Sequence, residues 1–307
     1  MLHISYLLSI NLNRMINSLI RILARILVNI HVLNKIFVVR MDGGICSQMH
    51  FFLIGELLAR KGYQVKYDIR WFKSQGKDLT GKFARNFDLL KAFPYLKFSV
   101  ATSLETFFYS RLAANNSISL SEIKPPLYLG GYYDSNKEMY EKLFSLVFKA
   151  DIAVLDKENK KVYEQISKKD NTVAIHVRRG DLATFNGAYG KPVGIDYFTH
   201  VLQRLYKKIG ALNCYLFSDE PQWIKENLLD ELPQVNAYTL IDFNGSDKGY
   251  MDMLLISACQ YQISSKGSLG KFGGFLNDDV DGKIYVYADD VEREKWEGIH
   301  SKIEFVK

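Results

Sequence analysis

The chain has 307 residues, an apolar fraction of 48% and a net charge of +6. This length suggests two domains of about 150 residues, with enough apolar residues for two cores. The positive charge is mild and spread along the chain, which argues against nucleic-acid binding and suits an anionic small molecule or an acidic membrane surface. The three cysteines, Cys46, Cys214 and Cys259, are too scattered for a disulfide framework or a zinc site and indicate a reducing compartment.

The first segment, residues 1–35, contains no acidic residue. Arg14, Arg21 and Arg25 interrupt its apolar residues, so no run reaches the ~18 residues of a membrane-spanning helix, and no cleavage site follows. Across residues 14–30 the polar and apolar residues separate at helical spacing, which predicts a basic amphipathic helix. Such a helix either lies on an anionic membrane or packs against its own domain, and the sequence leaves both open.

The next elements predict a βαβ unit, with which a doubly wound α/β domain begins. The turn after its first strand contains Gly43-Gly44, which lacks the third glycine of a dinucleotide-binding fingerprint, and no phosphate-binding P-loop motif occurs in the chain. The turn is still a candidate for close approach to a ligand. The predicted elements are a strand at 36–41, a loop at 42–47, a helix at 48–61 ending at Gly62, and a strand at 64–68.

Residues 71–127 are rich in Phe, Tyr and Lys and are predicted to be helical, with a break at Pro125-Pro126. Helices are also predicted across 136–168. The alternation of strands and helices then continues, which indicates a second α/β domain. The chain thus divides into an amphipathic helix at 1–35, an α/β domain at 36–165 and an α/β domain at 166–307. The strands predicted for the last are 172–177, 214–217, 237–241, 261–264 and 283–288, and its helices are 197–209, 223–229, 250–259 and one ending at 277.

The end of the strand at 172–177 carries the most informative residues of the chain. The strand stops at Arg178-Arg179-Gly180-Asp181, so these polar groups lie at its carboxyl end, where open α/β sheets bind ligands. An Arg fork there can hold a diphosphate through two parallel hydrogen bonds. Alternation along the strand places His176 and Arg178 on one face and Arg179 on the other. The alternative is a solvated strand end paired with surface carboxylates.

Two further strand ends carry polar residues, Ser218-Asp219-Glu220 and 264–268, and the three segments together predict a nucleotide pocket. On these motifs the chain resembles the family 11 glycosyltransferases, the bacterial α-1,2-fucosyltransferases, across about residues 36–300. The matching segments are 176–181, which resembles the GDP-fucose motif, then 217–221, 252–277, the Gly-Gly-x-x-x-Gln-Met signature at 43–49 and an aromatic block at 131–135. The chain departs from the family pattern at Cys46-Ser47 and at 269–272, where the family has Gly-Asn and Phe-Ser-Trp-Trp.

The resemblance implies a GT-B-like fold of two facing Rossmann-like domains with the donor in the carboxyl-terminal one. It implies inverting transfer of L-fucose from GDP-β-L-fucose to a sugar hydroxyl, as by a galactoside 2-α-L-fucosyltransferase in surface polysaccharide (O-antigen or capsule) synthesis. The acceptor would be an oligosaccharide or lipid-linked glycan. The enzyme would be cytoplasmic, either free or peripheral at the inner face of the bacterial cytoplasmic membrane through residues 14–30. The resemblance gives catalytic roles to Arg178 and Asp181, and substrate-binding roles to His176, Arg179, Gly43, Gly44, Gln48, Asp219, Glu220 and Ser268.

No cofactor or metal is expected, because fixed arginines can neutralise the leaving diphosphate. The one metal-binding string, Asp279-Val-Asp281, lies in a segment with ordinary turn composition. An inverting reaction calls for a general base, and the sequence does not choose among Asp42, Asp68, Asp134 and Asp181, the last of which can instead hold the arginines. A transferase for another nucleotide sugar and a non-catalytic anion-binding scaffold remain as alternatives.

Overall fold

The protein is an α/β protein with two sheets, and every strand pairing between its named strands is parallel. This confirms the predicted fold class. It also forms two compact units. The smaller unit comprises Met1–Asp42, Ser47–Gln75 and Lys97–Asp134, and the larger comprises Gly43–Cys46, Gly76–Leu96 and Ser135–Lys307. The computed structural model describes residues 2–78, 80–81, 83–114, 119–131, 133, 136–184, 190–233 and 235–307.

The smaller unit contains a three-stranded sheet in the order β2-β1-β3. Gly62, with φ of +84°, ends the long second helix, because a residue with a Cβ rarely adopts that backbone conformation. The predicted βαβ unit is present. The described residues of the segment 71–127 hold only three short α-helices. The elements are α1 (Leu2–Asn29), β1 (Phe37–Arg40), α2 (Ile45–Arg60), β2 (Val65–Asp68), α3 (Trp71–Ser74), α4 (Leu89–Ala92), α5 (Ser103–Tyr109), a 3₁₀ turn (Ser110–Leu112) and β3 (Leu127–Leu129).

The larger unit contains a six-stranded sheet in the order β6-β5-β4-β7-β8-β9. Its central strand is buried along its whole length, as expected for a parallel strand covered on both faces. The elements are α6 (Phe144–Val147), α7 (Lys157–Ser167), β4 (Thr172–Val177), α8 (Gly180–Thr184), α9 (Ile195–Ile209), β5 (Asn213–Ser218), α10 (Pro221–Trp223), β6 (Ala237–Ile241), α11 (Gly249–Ala258), β7 (Tyr261–Ser264), α12 (Leu269–Leu276), β8 (Ile284–Tyr287), α13 (Asp290–Trp296) and β9 (Ile303–Val306). Short 3₁₀ or π turns cover Glu138–Leu143, Ile152–Val154, Ile224–Leu228 and Leu229–Glu231.

Two features of the larger unit differ from the sequence analysis. The prediction that the last strand ends at 288 was wrong, because α13 and β9 follow and β9 pairs with β8 along the sheet edge. Residues 135–165, placed by sequence in the first domain, group with the larger unit because α6 packs on α12 and α7 packs on α11.

Helix α1 begins well before the predicted residues 14–30 and covers 28 residues. Ala24 and Val28 are buried in a cluster with Ile36, Val38 and Tyr109 of the same unit. The packing alternative therefore holds for this stripe of the helix. Among the described residues, no helix is long and apolar enough to cross a membrane.

Candidate active site

Three strand ends meet at one edge of the six-stranded sheet. β4 lies between β5 and β7, and the register of both pairings sets the three carboxyl ends level with one another. The three polar segments singled out in the sequence, 178–181, 218–220 and 264–268, consequently lie side by side at that edge. This is the position at which parallel sheets present groups to a ligand.

Arg178 is held between two carboxylates. Its Nη2 lies 2.7 Å from Asp181 Oδ1 and its Nη1 lies 2.6 Å from Asp219 Oδ2. Its backbone N–H donates to Ser265 Oγ at 2.8 Å, which ties the end of β4 to the loop after β7. A guanidinium carries five N–H donors, so these two carboxylates leave donors available for an anionic ligand. The contact with Asp181 matches the predicted holding role of that acid.

Arg179 is immobilised by a different set of contacts. Its guanidinium lies over the Trp223 ring, 3.7 Å from the centroid, and its Nε donates to Glu220 Oε2 at 3.3 Å. Its backbone N–H donates to Asp219 Oδ1 at 2.9 Å. A Cβ added at Gly180 would lie 2.4 Å from Asp219 Oδ2, so glycine lets this carboxylate approach the loop. Asp219 and Glu220 thus position the arginines, and their predicted contacts to base or ribose stay predictions.

His176 is buried beneath this edge, and its Nδ1 has no hydrogen-bond partner among the described residues. Burial, with the positive charges of Arg178 and Lys271, lowers the pKa of His176 to about 3. The imidazole is therefore neutral near pH 7. A Cβ added at Gly270 would lie 3.0 Å from the His176 Cβ, so α12 packs directly against this side chain.

A buried ion pair supports the loop after β7. Lys271 Nζ lies 2.7 Å from Glu292 Oε2, and both side chains are fully buried. The same ammonium donates to the Gly267 carbonyl oxygen at 2.6 Å, and burial lowers the pKa of Lys271. This lysine lies in the segment 269–272, where the chain departs from the family pattern. At this departure from the family pattern, Lys271 therefore holds the loop after β7 in place.

Ser268 is the N-cap residue that precedes α12, and it is half buried. Its hydroxyl shares a hydrogen bond with the Cys46 thiol, and burial raises the pKa of that thiol to about 12. Cys46, which lies at the other departure from the family pattern, is therefore a neutral, buried residue. The predicted contact of Ser268 to phosphate stays a prediction.

The remaining predicted binding residues lie around the turn after β1. Gly43 has φ of +72°, a left-handed conformation that favours glycine, and a Cβ added at Gly44 would meet no described atom within 4 Å. Gln48 in the smaller unit is fully buried. Their predicted contacts to substrate stay predictions. Asp134, one of the candidate bases, lies outside the described residues.

Two other candidate bases, both in the smaller unit, differ in their surroundings. Asp68 accepts from Arg70 Nε at 2.9 Å and Arg70 Nη2 at 2.8 Å, and Tyr128 Oη donates to it at 2.9 Å. These hydrogen bonds hold the pKa of Asp68 below its ordinary value despite burial. Burial raises the pKa of Asp42, against the opposing effect of Arg40 at 3.2 Å. Of these two carboxyls, that of Asp42 is the one with a raised pKa.

Arg85 is a site residue that sequence reasoning missed. It belongs to the larger unit, and burial together with the nearby charge of Arg178 lowers the pKa of its guanidinium, while Asp181 and Asp219 act in the opposite sense. A second partly buried cation thus belongs to the electrostatic surroundings of Arg178. No motif or periodicity marks this residue in the sequence.

The segment around Asp279 and Asp281 is a turn. Asn277 Oδ1 accepts from the Asp279 N–H at 2.8 Å, and Asp279 Oδ1 accepts from the Asp281 N–H at 2.9 Å. These are the local bonds expected of Asn and Asp in turns. Across the described parts of the chain, no group of three potential metal ligands occurs.

The family model for glycosyl transferase family 11 matches residues 93–305. No curated protein matches the chain. Among solved structures, NodZ alpha-1,6-fucosyltransferase co-crystallized with GDP is 14% identical, with a TM-score of 0.46 over 80% of this chain and 93% of that one. A glycosyl transferase family 9 protein from Veillonella parvula is 11% identical, with a TM-score of 0.46 over 89% of this chain and 87% of that one. A mutant Arabidopsis thaliana FUT1 in complex with GDP is 10% identical, with a TM-score of 0.41 over 84% and 71%.

Proposed function

The chain belongs to glycosyl transferase family 11, and from that premise we propose that it moves L-fucose from GDP-β-L-fucose to a sugar hydroxyl with inversion. The donor would bind at the carboxyl ends of β4, β5 and β7 in the larger unit. The acceptor class we propose is a galactoside at its 2-hydroxyl, in a surface glycan or a lipid-linked precursor of one. The reaction would take place in the cytoplasm.

The observation that carries the proposal is the fixed guanidinium of Arg178. It lies at a strand carboxyl end, with two carboxylates at 2.6 and 2.7 Å setting its direction. Donors that are oriented before the reaction stabilise developing charge without the cost of reorganisation. A leaving diphosphate develops that kind of charge, so Arg178 would stabilise the transition state more than the bound donor.

In the proposed reaction the bond between fucose C1 and the β-phosphate oxygen breaks, and the electron pair leaves with GDP. The acceptor oxygen forms a new bond to C1 from the opposite face, and its proton passes to a general base. Neutral His176, whose Nδ1 has no hydrogen-bond partner in the described part of the chain, would serve the donor as a hydrogen-bonding group rather than as a charge. We propose Asp42 as the base, because a raised pKa suits proton abstraction better than the low pKa of Asp68.

Thermal stabilisation tests the donor assignment, because a ligand that binds only the folded state raises the melting temperature. The panel is GDP, GDP-fucose, GDP-mannose and UDP-glucose, first without metal and then with Mn²⁺. We expect GDP and GDP-fucose to raise Tm without metal. A preference for UDP-glucose, or a strict need for Mn²⁺, contradicts the proposal.

Product analysis tests the acceptor. GDP-fucose is incubated with lactose, N-acetyllactosamine and a matched 2-deoxygalactoside, and transfer is followed by mass spectrometry. We expect a fucosylated product from the galactosides and none from the 2-deoxy compound. Equal transfer to the 2-deoxy compound would refute the 1,2 linkage and leave the donor assignment intact.

A further inference from the structure

Helix α1 has an apolar face that its own unit does not cover. Residues at three- and four-residue spacing along this face are between 43% and 59% exposed. The buried stripe of the same helix, with Ala24 and Val28, lies on the other side of the helical wheel. The helix is therefore partitioned, with one apolar stripe in the core and a second in solvent. The exposed stripe consists of Leu12, Met15, Ile16, Leu19, Ile22, Leu23 and Ile26.

Basic residues lie along one edge of the helix, between the exposed stripe and the buried one. Arg14, Arg21 and Arg25 are all exposed, and residues 1–35 contain no carboxylate side chain to pair with them. A second copy of the helix packed on the stripe would bring no carboxylate to these arginines, and so would lack the acidic partners that coiled coils use at their flanks. An anionic surface satisfies both the apolar and the basic parts of the helix.

A cationic cavity lies next to the basic edge within the smaller unit. It has a volume of about 470 Å³ and is lined by Arg21, Arg25, Arg111 and Lys124. Arg21 Nε donates to the Arg111 carbonyl oxygen at 2.9 Å, which ties the helix to the wall of the cavity. None of these four cations forms an ion pair with a carboxylate in the described part of the chain. Four cations around one cavity attract a counter-ion, and phosphate chemistry matches arginine best.

We propose that α1 lies in the interface of an anionic lipid bilayer. Its stripe from Leu12 to Ile26 is buried at the boundary of headgroups and acyl chains, and the cavity holds the phosphate of a lipid headgroup. Apolar burial and attraction to anionic lipid add together in this geometry. The inference does not depend on the donor chemistry, because every residue in it belongs to the smaller unit and none is assigned to the diphosphate.

Vesicle flotation of the full chain tests the proposal. The probes are vesicles of phosphatidylglycerol with phosphatidylcholine and vesicles of phosphatidylcholine alone. We expect binding to the anionic vesicles that weakens as salt is raised, and at least about tenfold less binding to the neutral ones. Equal binding to both kinds contradicts the role of the cations, and no binding to either overturns the proposal.

Two double variants separate the contribution of apolar burial from that of the arginine charges. Leu19→Ser with Ile26→Ser should lower binding to anionic vesicles by about tenfold or more, because two apolar side chains leave the bilayer. Arg21→Gln with Arg25→Gln should lower it by about tenfold on anionic vesicles only. The matched controls are Leu146→Ser, at a residue 66% exposed in the larger unit, and the exposed pair Lys207→Gln with Lys208→Gln. The controls should leave binding unchanged.

Sedimentation distinguishes the membrane from a second copy of the chain. A dimer that Leu19→Ser with Ile26→Ser converts to monomer, in a protein that does not bind vesicles, would assign the stripe to self-association and overturn the proposal. Stabilisation of every variant by GDP serves as the control for folding. It also separates failure of this inference from failure of the donor assignment.

Discussion

In the larger unit the charge at the strand ends is arranged around a cation, whereas in the smaller unit it is arranged around an anion. Arg178, after β4, is held by Asp181 and Asp219 at 2.7 and 2.6 Å. Asp68, at the end of β2, is held by Arg70 at 2.8 Å and by the Tyr128 hydroxyl at 2.9 Å. Both sheets are parallel, so the same backbone geometry serves opposite charges.

The difference shows which unit suits an anionic donor. In the larger unit the carboxylates orient a cation that still has donors available, and Arg85 adds a second cation nearby. In the smaller unit Asp68 already has hydrogen-bond partners, and of the two candidate bases there Asp42 is the one with a raised pKa. A diphosphate therefore matches the larger unit.

The largest expected effect comes from breaking the buried ion pair that supports the loop after β7. Lys271→Met leaves the Glu292 carboxylate buried without its partner at 2.7 Å, so we expect a loss of roughly 3–5 kcal/mol in the free energy of unfolding. Urea unfolding measures it. The matched control is Lys225→Met, which breaks an exposed pair with Asp242 and should cost less than about 1 kcal/mol. Equal costs for the two variants contradict the supporting role of the buried pair.

Substitutions of the two candidate bases in the smaller unit, Asp42 and Asp68, should have different effects. Asp42→Asn should lower turnover by about 10²-fold or more with little change in stability, because it removes the proposed base. Asp68→Asn should lower the free energy of unfolding by about 1–3 kcal/mol, because it weakens charged hydrogen bonds to Arg70. Fucose transfer and urea unfolding are measured on both variants. If Asp42→Asn keeps full turnover, another residue is the base.

Lowering the pH tests a feature that the two units share, a buried neutral histidine. The pKa of His176 is lowered to about 3 and that of His50 to about 4, both by burial. Below pH ~6.5 the unfolded chain binds protons that the folded protein does not, so stability is full above that pH and falls on acidification towards the folded pKa values. Each such histidine contributes a slope of up to about 1.4 kcal/mol per pH unit.

The measurement is urea unfolding between pH 7 and pH 5. His176→Gln in the larger unit and His50→Gln in the smaller unit should each make the free energy of unfolding depend less steeply on pH. The expected reduction corresponds to about one bound proton per variant. His200→Gln, at an exposed residue of α9, is the matched control for the change of residue type. A wild-type protein whose stability does not fall over this range would show that these histidines are not held neutral.

The smallest expected effect concerns the stack beneath Arg179. Trp223→Ala removes a ring 3.7 Å from the guanidinium, and we expect a weakening of GDP binding by about two- to fivefold. Trp223→Phe should recover part of the loss, because an aromatic face remains. Calorimetric titration with GDP measures both variants. A loss as large as that of an Arg178 variant would mean that Arg179, and not Arg178, is the principal phosphate ligand.

Much of the larger unit could be predicted because its strands are short, apolar and β-branched. β4, β6 and β7 have the bounds expected from the sequence, and their order brings the three polar loops together. The segment 71–127 was harder, because its Phe and Tyr residues pack from loops and short helices and so carry no period. The end of the chain was missed although Asp289 accepts from the Glu292 N–H as a helix cap, a spacing that the sequence displays.

The parts of the site that escaped prediction depend on partners distant in the sequence. Lys271 pairs with Glu292, and Arg85 is affected by Arg178 more than 90 positions away. Neither interaction produces a motif or a periodicity in the sequence. The partition of α1 is another case, because its periodicity shows an amphipathic helix but does not show which apolar stripe its own unit covers.

GDP affinity of the wild-type protein, Arg178→Lys and Arg204→Lys, measured by titration calorimetry without metal, tests the central claim most directly. Arg178→Lys keeps the charge and loses the fork, so we predict a Kd raised by about tenfold to 100-fold. Arg204→Lys changes an exposed ion pair with Glu304 and should leave Kd unchanged. Equal affinities for all three proteins, or no GDP binding by the wild-type protein, would contradict the assignment of the diphosphate to Arg178.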